Sequence, residues 1–296
     1  MRLIRDILRE HHEAGRTALS CEFFPAKTPA GEVALLGKIA PRLKVIDPAF
    51  FSVTYGAGGS TRDQTLEIVD TLQREHGVAT MAHLTCVGST AADIGDFLDE
   101  ASRRDISNIL ALRGDPPEGE GNFVKRAGGF EYSFELVEYL RARDEFSIGV
   151  AGFPEGHIAC AEGKAVDWQR LKAKVDCGAD FLITQLFFDN ADFFEFRDHL
   201  RGQGMSQPIL AGIIPILNGR QILRFTKLCG ARLTPEIVST LNRLGDDDEA
   251  AAKFGIDYAT RQCADLIAQG VEGIHFYTLN KSRATVEIAR NLGLAE

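Results

Sequence analysis

Apolar and polar positions alternate in a recurring way along this chain. Eight short, strand-like apolar runs appear, at 18–25, 50–55, 79–86, 108–115, 147–154, 181–188, 208–215 and 273–279. Their length and their β-branched and aromatic content suit buried parallel strands. Between them lie stretches with helical spacing. AADIGDFLDEASRR (91–104) and WQRLKAKVDCG (168–178) put apolar residues on one face, and Gly178 suits a helix end. Asp63 and Asp167 stand where an N-cap or first-turn acid helps a helix start. Strand and helix alternating eight times predict an α/β fold, a single (β/α)8 TIM barrel over 1–296. A doubly wound open sheet is the alternative. The connection between strands seven and eight is the longest, with helices expected at 235–244 and 249–269 and an acidic turn, GDDDE, as a solvated helix start.

Strand parity turns this pattern into a site. Successive strand side chains point to opposite faces. Leu19, Cys21 and Phe23 share the face expected to pack on helices, which leaves Ser20, Glu22 and Phe24 pointing inward. A carboxylate inside LSCEFFP is costly unless paired, hydrogen-bonded or protonated. The same parity pairs Ser52 with Thr54, His83 with Met81 and Thr85, and His275 with Tyr277. Gln185 falls near the end of strand six and Asp115 just after strand four. Polar groups from several strands thus converge on the C-terminal mouth, where barrel enzymes place their chemistry.

Composition narrows the chemistry. The chain has 296 residues, 45% hydrophobic and 25% charged, with a formal net charge of −9. That balance argues against a nucleic-acid partner, because phosphate backbones need a concentrated basic surface. The N-terminal stretch is charged throughout, unlike a secretory signal. No apolar run approaches the ~18 residues of a membrane span, so a cytoplasmic protein is expected. The six cysteines form no C-x-x-C pair, and no H-x-H or H-E-x-x-H cluster occurs, so no metal is expected. None of the eight strand runs contains a lysine for Schiff-base chemistry, and there is no G-x-S-x-G elbow. YGAGGSTR (55–62) is neither a P-loop nor a full G-x-G-x-x-G motif, but its glycines allow a backbone to approach a ligand.

Taken together, CEFFP, FFSVTYGAGGSTR, HLTC, ILALRGDPP, AGFPEGH, DCGADFLITQLFFD, GIIPI and HFYTLN resemble the methylenetetrahydrofolate reductase family in order and over nearly the whole chain. The resemblance implies a barrel with non-covalent FAD at the strand C-termini. It implies a ping-pong reaction in which NADH or NADPH reduces the flavin, which then reduces 5,10-methylenetetrahydrofolate to 5-methyltetrahydrofolate. The sequence does not separate NADH from NADPH. The chain resembles the short bacterial form, without the regulatory domain of the eukaryotic enzymes, and the family suggests a homo-oligomer.

Carried over by motif, Glu22 matches the catalytic acid. The methylene bridge must open to a 5-iminium cation before it can take hydride, and opening needs a proton on N10. Asp115 matches the aspartate near the flavin, where negative charge disfavours further charge on the reduced ring. Gln185 matches the folate-contacting glutamine, and Tyr277 and Lys281 join it on the substrate side. The flavin is expected against Thr54, His83, Arg113, Gly114, Asp115, Ala151, Phe153, His157, Asp167 and Lys174. Three positions depart from the family pattern: Gly219 where an aromatic is frequent, Phe153 for tyrosine, and Lys281 for arginine. Two alternatives stand beside this reading: a flavin-free reductase with direct hydride transfer, and a folate- or flavin-binding module without turnover.

Overall fold

The structure, a computed structural model, describes residues 1–56, 61–114 and 123–295. Eight strands run in chain order around a closed ring: β1 (Ala18–Phe23), β2 (Phe50–Val53), β3 (Thr80–Thr85), β4 (Asn108–Leu112), β5 (Ser147–Gly152), β6 (Phe181–Thr184), β7 (Ile209–Ile213) and β8 (Gly273–Tyr277). All neighbours are parallel, and β8 returns to pair with β1, Glu22 standing beside Tyr277. This closure settles the choice between barrel and open sheet.

The helices precede and alternate with the strands: α1 (Ile4–Glu13), α2 (Pro29–Ala34), α3 (Ala40–Leu43), α4 (Arg62–His76), α5 (Ala91–Arg103), α6 (Ser133–Arg143), α7 (Lys164–Asp176), α8 (Asn190–Gly202), α9 (Gly219–Cys229), α10 (Pro235–Leu244), α11 (Asp248–Ala268) and α12 (Arg283–Asn291). Their starts follow local chemistry. Thr90 and Asp93 close a reciprocal capping box before α5, and Asp247 caps α11 through the Ala250 N–H at 3.0 Å. The acidic GDDDE turn is thus a helix start. Between β7 and β8 stand three helices where the sequence suggested two. The additional one, α9, is capped by Asn218 and stopped by Gly230 at φ 78°.

Parity sorts the core as expected. Cys21, Phe23, Phe51 and Val53 pack outward against the helices. Inside the ring, Phe50, Met81, Leu110, Phe181, Ile183 and Leu210 form a second core, closed from beneath by Ile4, Ile7 and Leu8 of α1. That helix is pinned at its first turn. The Ile4 N–H donates to Asn108 Oδ1 at 2.8 Å and the Arg5 N–H to Ser147 Oγ at 3.0 Å. The interior is therefore filled, which directs attention to the C-terminal mouth, where barrel enzymes place their chemistry. Strand six stops earlier than its apolar run suggests, because Gln185 Oε1 accepts the Leu186 N–H at 2.9 Å and turns the chain out of the ladder. Among the described residues no helix is long and apolar enough to cross a membrane.

Candidate active site

Glu22 lies at the top of the inner core, only 6% exposed. Its register places it beside Ser52 on one side and Tyr277 on the other. Two imidazoles face one of its oxygens: His83 Nε2 is 3.6 Å and His275 Nε2 3.7 Å from Oε2. Both Nε2 atoms are buried and lack a hydrogen-bond partner, as do Ser52 Oγ and Thr85 Oγ1 nearby in the ladder. Buried polar atoms are seldom left unpaired, so a group of them at one mouth marks a place built to receive something. Burial pulls the His83 imidazole down to about 4, against an opposing pull from Glu22, so it is neutral at pH 7. His275 is wholly buried. Its Nδ1 lies 2.8 Å from Ser20 Oγ, and its ring stacks on Phe50 with centroids 6.0 Å apart.

The β6–β8 side is shaped by one glycine. The Tyr277 hydroxyl donates to the Thr184 carbonyl at 2.7 Å, crossing over β7 to do so. It passes over Gly212, where a Cβ would sit 2.2 Å from that carbonyl oxygen and 2.8 Å from the Tyr277 ring. Burial and the nearby Glu22 push the Tyr277 hydroxyl well above its usual range, so it stays neutral. Gln185 follows β6 and joins Phe153, Glu155, Leu186 and Cys229 around a small hollow.

The β4–β5–α7 side carries the positive charge. Lys174 reaches inward from α7 and its Nζ donates to the Ala151 carbonyl at 3.0 Å. Burial lowers this amine to about 8, while Asp167 and the Cys86 thiol pull it back up. Asp167 Oδ2 accepts the His157 N–H at 3.1 Å, and the His157 ring meets the edge of Phe153 at 4.5 Å. Arg113 stacks over Phe123 at 5.1 Å. Gly114 has φ 83°, and a Cβ there would strike Val87 and Thr85, so the chain turns tightly after β4. Thr54 follows β2, its N–H bonded to the Phe23 carbonyl at 2.9 Å.

The structure therefore gathers Glu22, His83, Gln185 and Tyr277 with the Lys174–Asp167–His157 group at the strand ends. Lys281 is exposed, beyond a turn closed on the Thr278 carbonyl. Asp115 and the central part of YGAGGSTR lie outside the described residues. Among the described residues no cluster of three or more His, Cys, Asp or Glu is arranged to hold a metal. Sequence reasoning missed two supports. Ser20 fixes His275, and Asn280, at φ 55°, ties the end of β8 to Phe24 through two hydrogen bonds of 2.9 and 2.8 Å. The signal for the latter is asparagine's tolerance of a left-handed turn.

A family model described as methylenetetrahydrofolate reductase matches residues 7–293. The chain belongs to the methylenetetrahydrofolate reductase family. Among its relatives, methylenetetrahydrofolate reductase (NADH) 1 of Zea mays is 40% identical over 306 residues, covering 100% of this chain and 51% of the relative. The 5,10-methylenetetrahydrofolate reductase of Escherichia coli is 34% identical, covering 95% of this chain and 92% of the relative. The chain thus spans about half the length of the plant members and nearly all of the bacterial one. In shape it is similar to a Clostridium thermocellum protein described as binding two copies of 5-methyl-5,6,7,8-tetrahydrofolic acid. The TM-score is 0.64 at 13% identity, over 96% of this chain and 97% of that one. At that identity the likeness concerns the fold alone.

Proposed function

We propose that this chain reduces 5,10-methylenetetrahydrofolate to 5-methyltetrahydrofolate with NAD(P)H, in ping-pong order, using a non-covalently held FAD. The observation that carries the reading is Glu22, a nearly buried carboxyl at the barrel mouth whose ion-pairing neighbours among the described residues are imidazoles rather than a lysine or arginine. A carboxyl so placed suits proton donation more than salt bridging.

The residues present fit a flavin. Lys174 has three donors and spends one on Ala151, which leaves two for a phosphate or a ribityl hydroxyl. Thr85 Oγ1 and Ser52 Oγ are orphaned beside the mouth and suit a polar ring edge. Arg113, Gly114, Ala151, Phe153, His157, Asp167 and Thr54 would complete the holding surface, with Asp115 assigned there by family resemblance. When bound, the flavin supplies hydride chemistry. Glu22 gives its proton to N10 of the folate, N10 leaves the methylene carbon, and the 5-iminium cation becomes a hydride acceptor. Gln185, with one amide hydrogen-bonding edge spent on Leu186, orients the pterin with its amide N–H groups. Tyr277 and Lys281 stand on the same substrate side. The NADH named in the plant relatives makes NADH the first nicotinamide to try.

The test is direct. The purified protein is expected to be yellow. Anaerobic NADH or NADPH bleaches the flavin band, and methylenetetrahydrofolate restores it. A colourless protein that still reduces folate would support the flavin-free alternative, and a yellow protein inert to both substrates would support a binding module.

Lys174 gives a second expectation. Its ammonium is fully charged well below pH 8 and is lost as pH rises through about 8. Binding of an anionic cofactor to it should therefore be flat below pH 7 and weaken above pH 8, by up to about tenfold per unit. Lys174→Gln should bind FAD roughly 10- to 100-fold more weakly and lose that pH dependence. Flavin fluorescence titration across pH 6–9 checks both, and equal affinity of the variant and the unaltered protein would remove Lys174 from the cofactor surface.

A further inference from the structure

Ser20, His275 and Glu22 form a line through the floor of the mouth that the proposed reaction does not by itself account for. We propose that His275 is a positioning residue for Glu22: its Nδ1–H is held by Ser20, and its Nε2 lone pair faces the Glu22 carboxyl and favours the protonated acid. The proposal rests on the reading of Glu22 as proton donor.

The direction of each hydrogen follows from the partners. Ser20 Oγ lies 2.8 Å from His275 Nδ1 and 3.4 Å from the Ile274 carbonyl. A carbonyl only accepts. A hydroxyl that gives its hydrogen to Ile274 accepts one from Nδ1, and that is the tautomer proposed here. In neutral His275 this leaves Nε2 as a bare acceptor. That atom is fully buried, has no hydrogen-bond partner, and stands 3.7 Å from Glu22 Oε2. A carboxylate there would set two acceptors against each other, whereas a carboxylic acid satisfies both.

His83 completes the sequence. It is neutral at pH 7, and its Nε2 stands 3.6 Å from the same oxygen. With hydrogen on Nε2 it donates to Oε2, so that every donor runs one way: His83 to Glu22, Glu22 to His275, His275 to Ser20, and Ser20 to the Ile274 carbonyl. Closing either Glu22 contact to hydrogen-bond length takes a movement of about 0.7 Å, and such contacts are often long before substrate arrives. The ring of His275 has little freedom to move away. Phe50 stacks on one face, and the Tyr277 ring meets it edge-on at 5.4 Å. Among the described residues the titratable groups facing Glu22 are His83 from β3 and His275 and Tyr277 from β8. Tyr277 is held neutral by burial and bonded to Thr184.

In turnover the Glu22 O–H bond breaks and an N10–H bond forms. The carboxylate left behind faces the His275 lone pair, which favours its reprotonation by water at the mouth once product leaves.

Two measurements test this. The first is nitrogen NMR of the flavin-loaded protein with ¹⁵N-labelled histidine, His275 being assigned by the signal lost in His275→Gln. Protonated Nδ1 with unprotonated Nε2 is expected at pH 7. An Nε2–H tautomer or an imidazolium would overturn the proposal, and this readout does not depend on folate reduction. The second is the pH profile of the two anaerobic half-reactions in Ser20→Ala. With Nδ1 released, His275 can turn its hydrogen to Nε2 and favour the carboxylate. The alkaline limb of the folate half-reaction should then move about one unit lower, and that of the nicotinamide half-reaction should not follow it. An unmoved folate limb would overturn the proposal. If the unaltered protein shows no folate half-reaction, the assignment of function fails, while the NMR result still judges the tautomer.

Discussion

Glu22→Gln should abolish most folate reduction while leaving nicotinamide oxidation in place. Glutamine keeps the volume of the side chain, so the inner core beneath it is undisturbed. Its amide cannot release a proton to N10, and the methylene bridge then opens only by the solvent route. Losing a positioned general acid costs roughly 10²–10⁴ in rate. Bleaching of the flavin by NADH or NADPH needs no such proton and should proceed. Thermal stability should hold, because the new amide can donate to the orphaned Nε2 of His275. Anaerobic stopped-flow measurement of each half-reaction separates these outcomes. A variant that reduces folate at the normal rate would remove Glu22 from its role.

Gly212→Ala is expected to have a large effect on the fold. The added Cβ would stand 2.2 Å from the Thr184 carbonyl oxygen and 2.8 Å from the Tyr277 ring. The carbonyl is backbone and cannot swing aside. The strand itself must shift, breaking the Gly212 N–H bond to Thr184 Oγ1 at 2.9 Å and pushing Tyr277 off the same carbonyl. Overpacking of this kind costs about 3 kcal/mol. For a chain of this size that lowers the melting temperature by roughly 5 °C. Tyr277→Phe is the control, since it keeps the ring and loses one hydrogen bond, at about 1 kcal/mol. Calorimetric melting of the two variants beside the unaltered protein gives the comparison. Equal melting of Gly212→Ala and the unaltered protein would show that the strands tolerate more at this point than the contact distances allow.

The ring of strands was legible because strand side chains repeat every two residues. That period places Glu22, Ser52, His83 and Tyr277 on the inner face from the sequence alone. What parity cannot supply is register between segments far apart in the chain. Ser20 meets His275 across 255 positions, and no local signal announces that Nδ1 is held by a hydroxyl. α9 was missed for a different reason. Its caps, Asn218 and Gly230, are plain in the sequence, but a glycine at its first position and threonine and cysteine towards its end weaken the helical signal. The strand-six boundary was misjudged because Leu186, Phe187 and Phe188 are as apolar as a strand. They are buried in side packing rather than in the ladder. Lys174, half-buried against Ala151, shows the limit of composition: nothing about a lysine in an amphipathic helix says that it turns inward.

The helix that stoppers the ring has a consequence for how the chain is made. Ile4 leaves the ribosome 104 residues before its anchor, Asn108, and Ser147 follows later still for Arg5. The first strand waits longer still, since its second neighbour is the last strand. Until β8 has emerged, the nascent polypeptide carries an unpaired β1 edge. Contacts so distant are slow to form and leave the growing chain open to sticking. Slowing translation just ahead of the codons for β8 would prolong that exposed interval, whereas slowing it ahead of those for β1 would not.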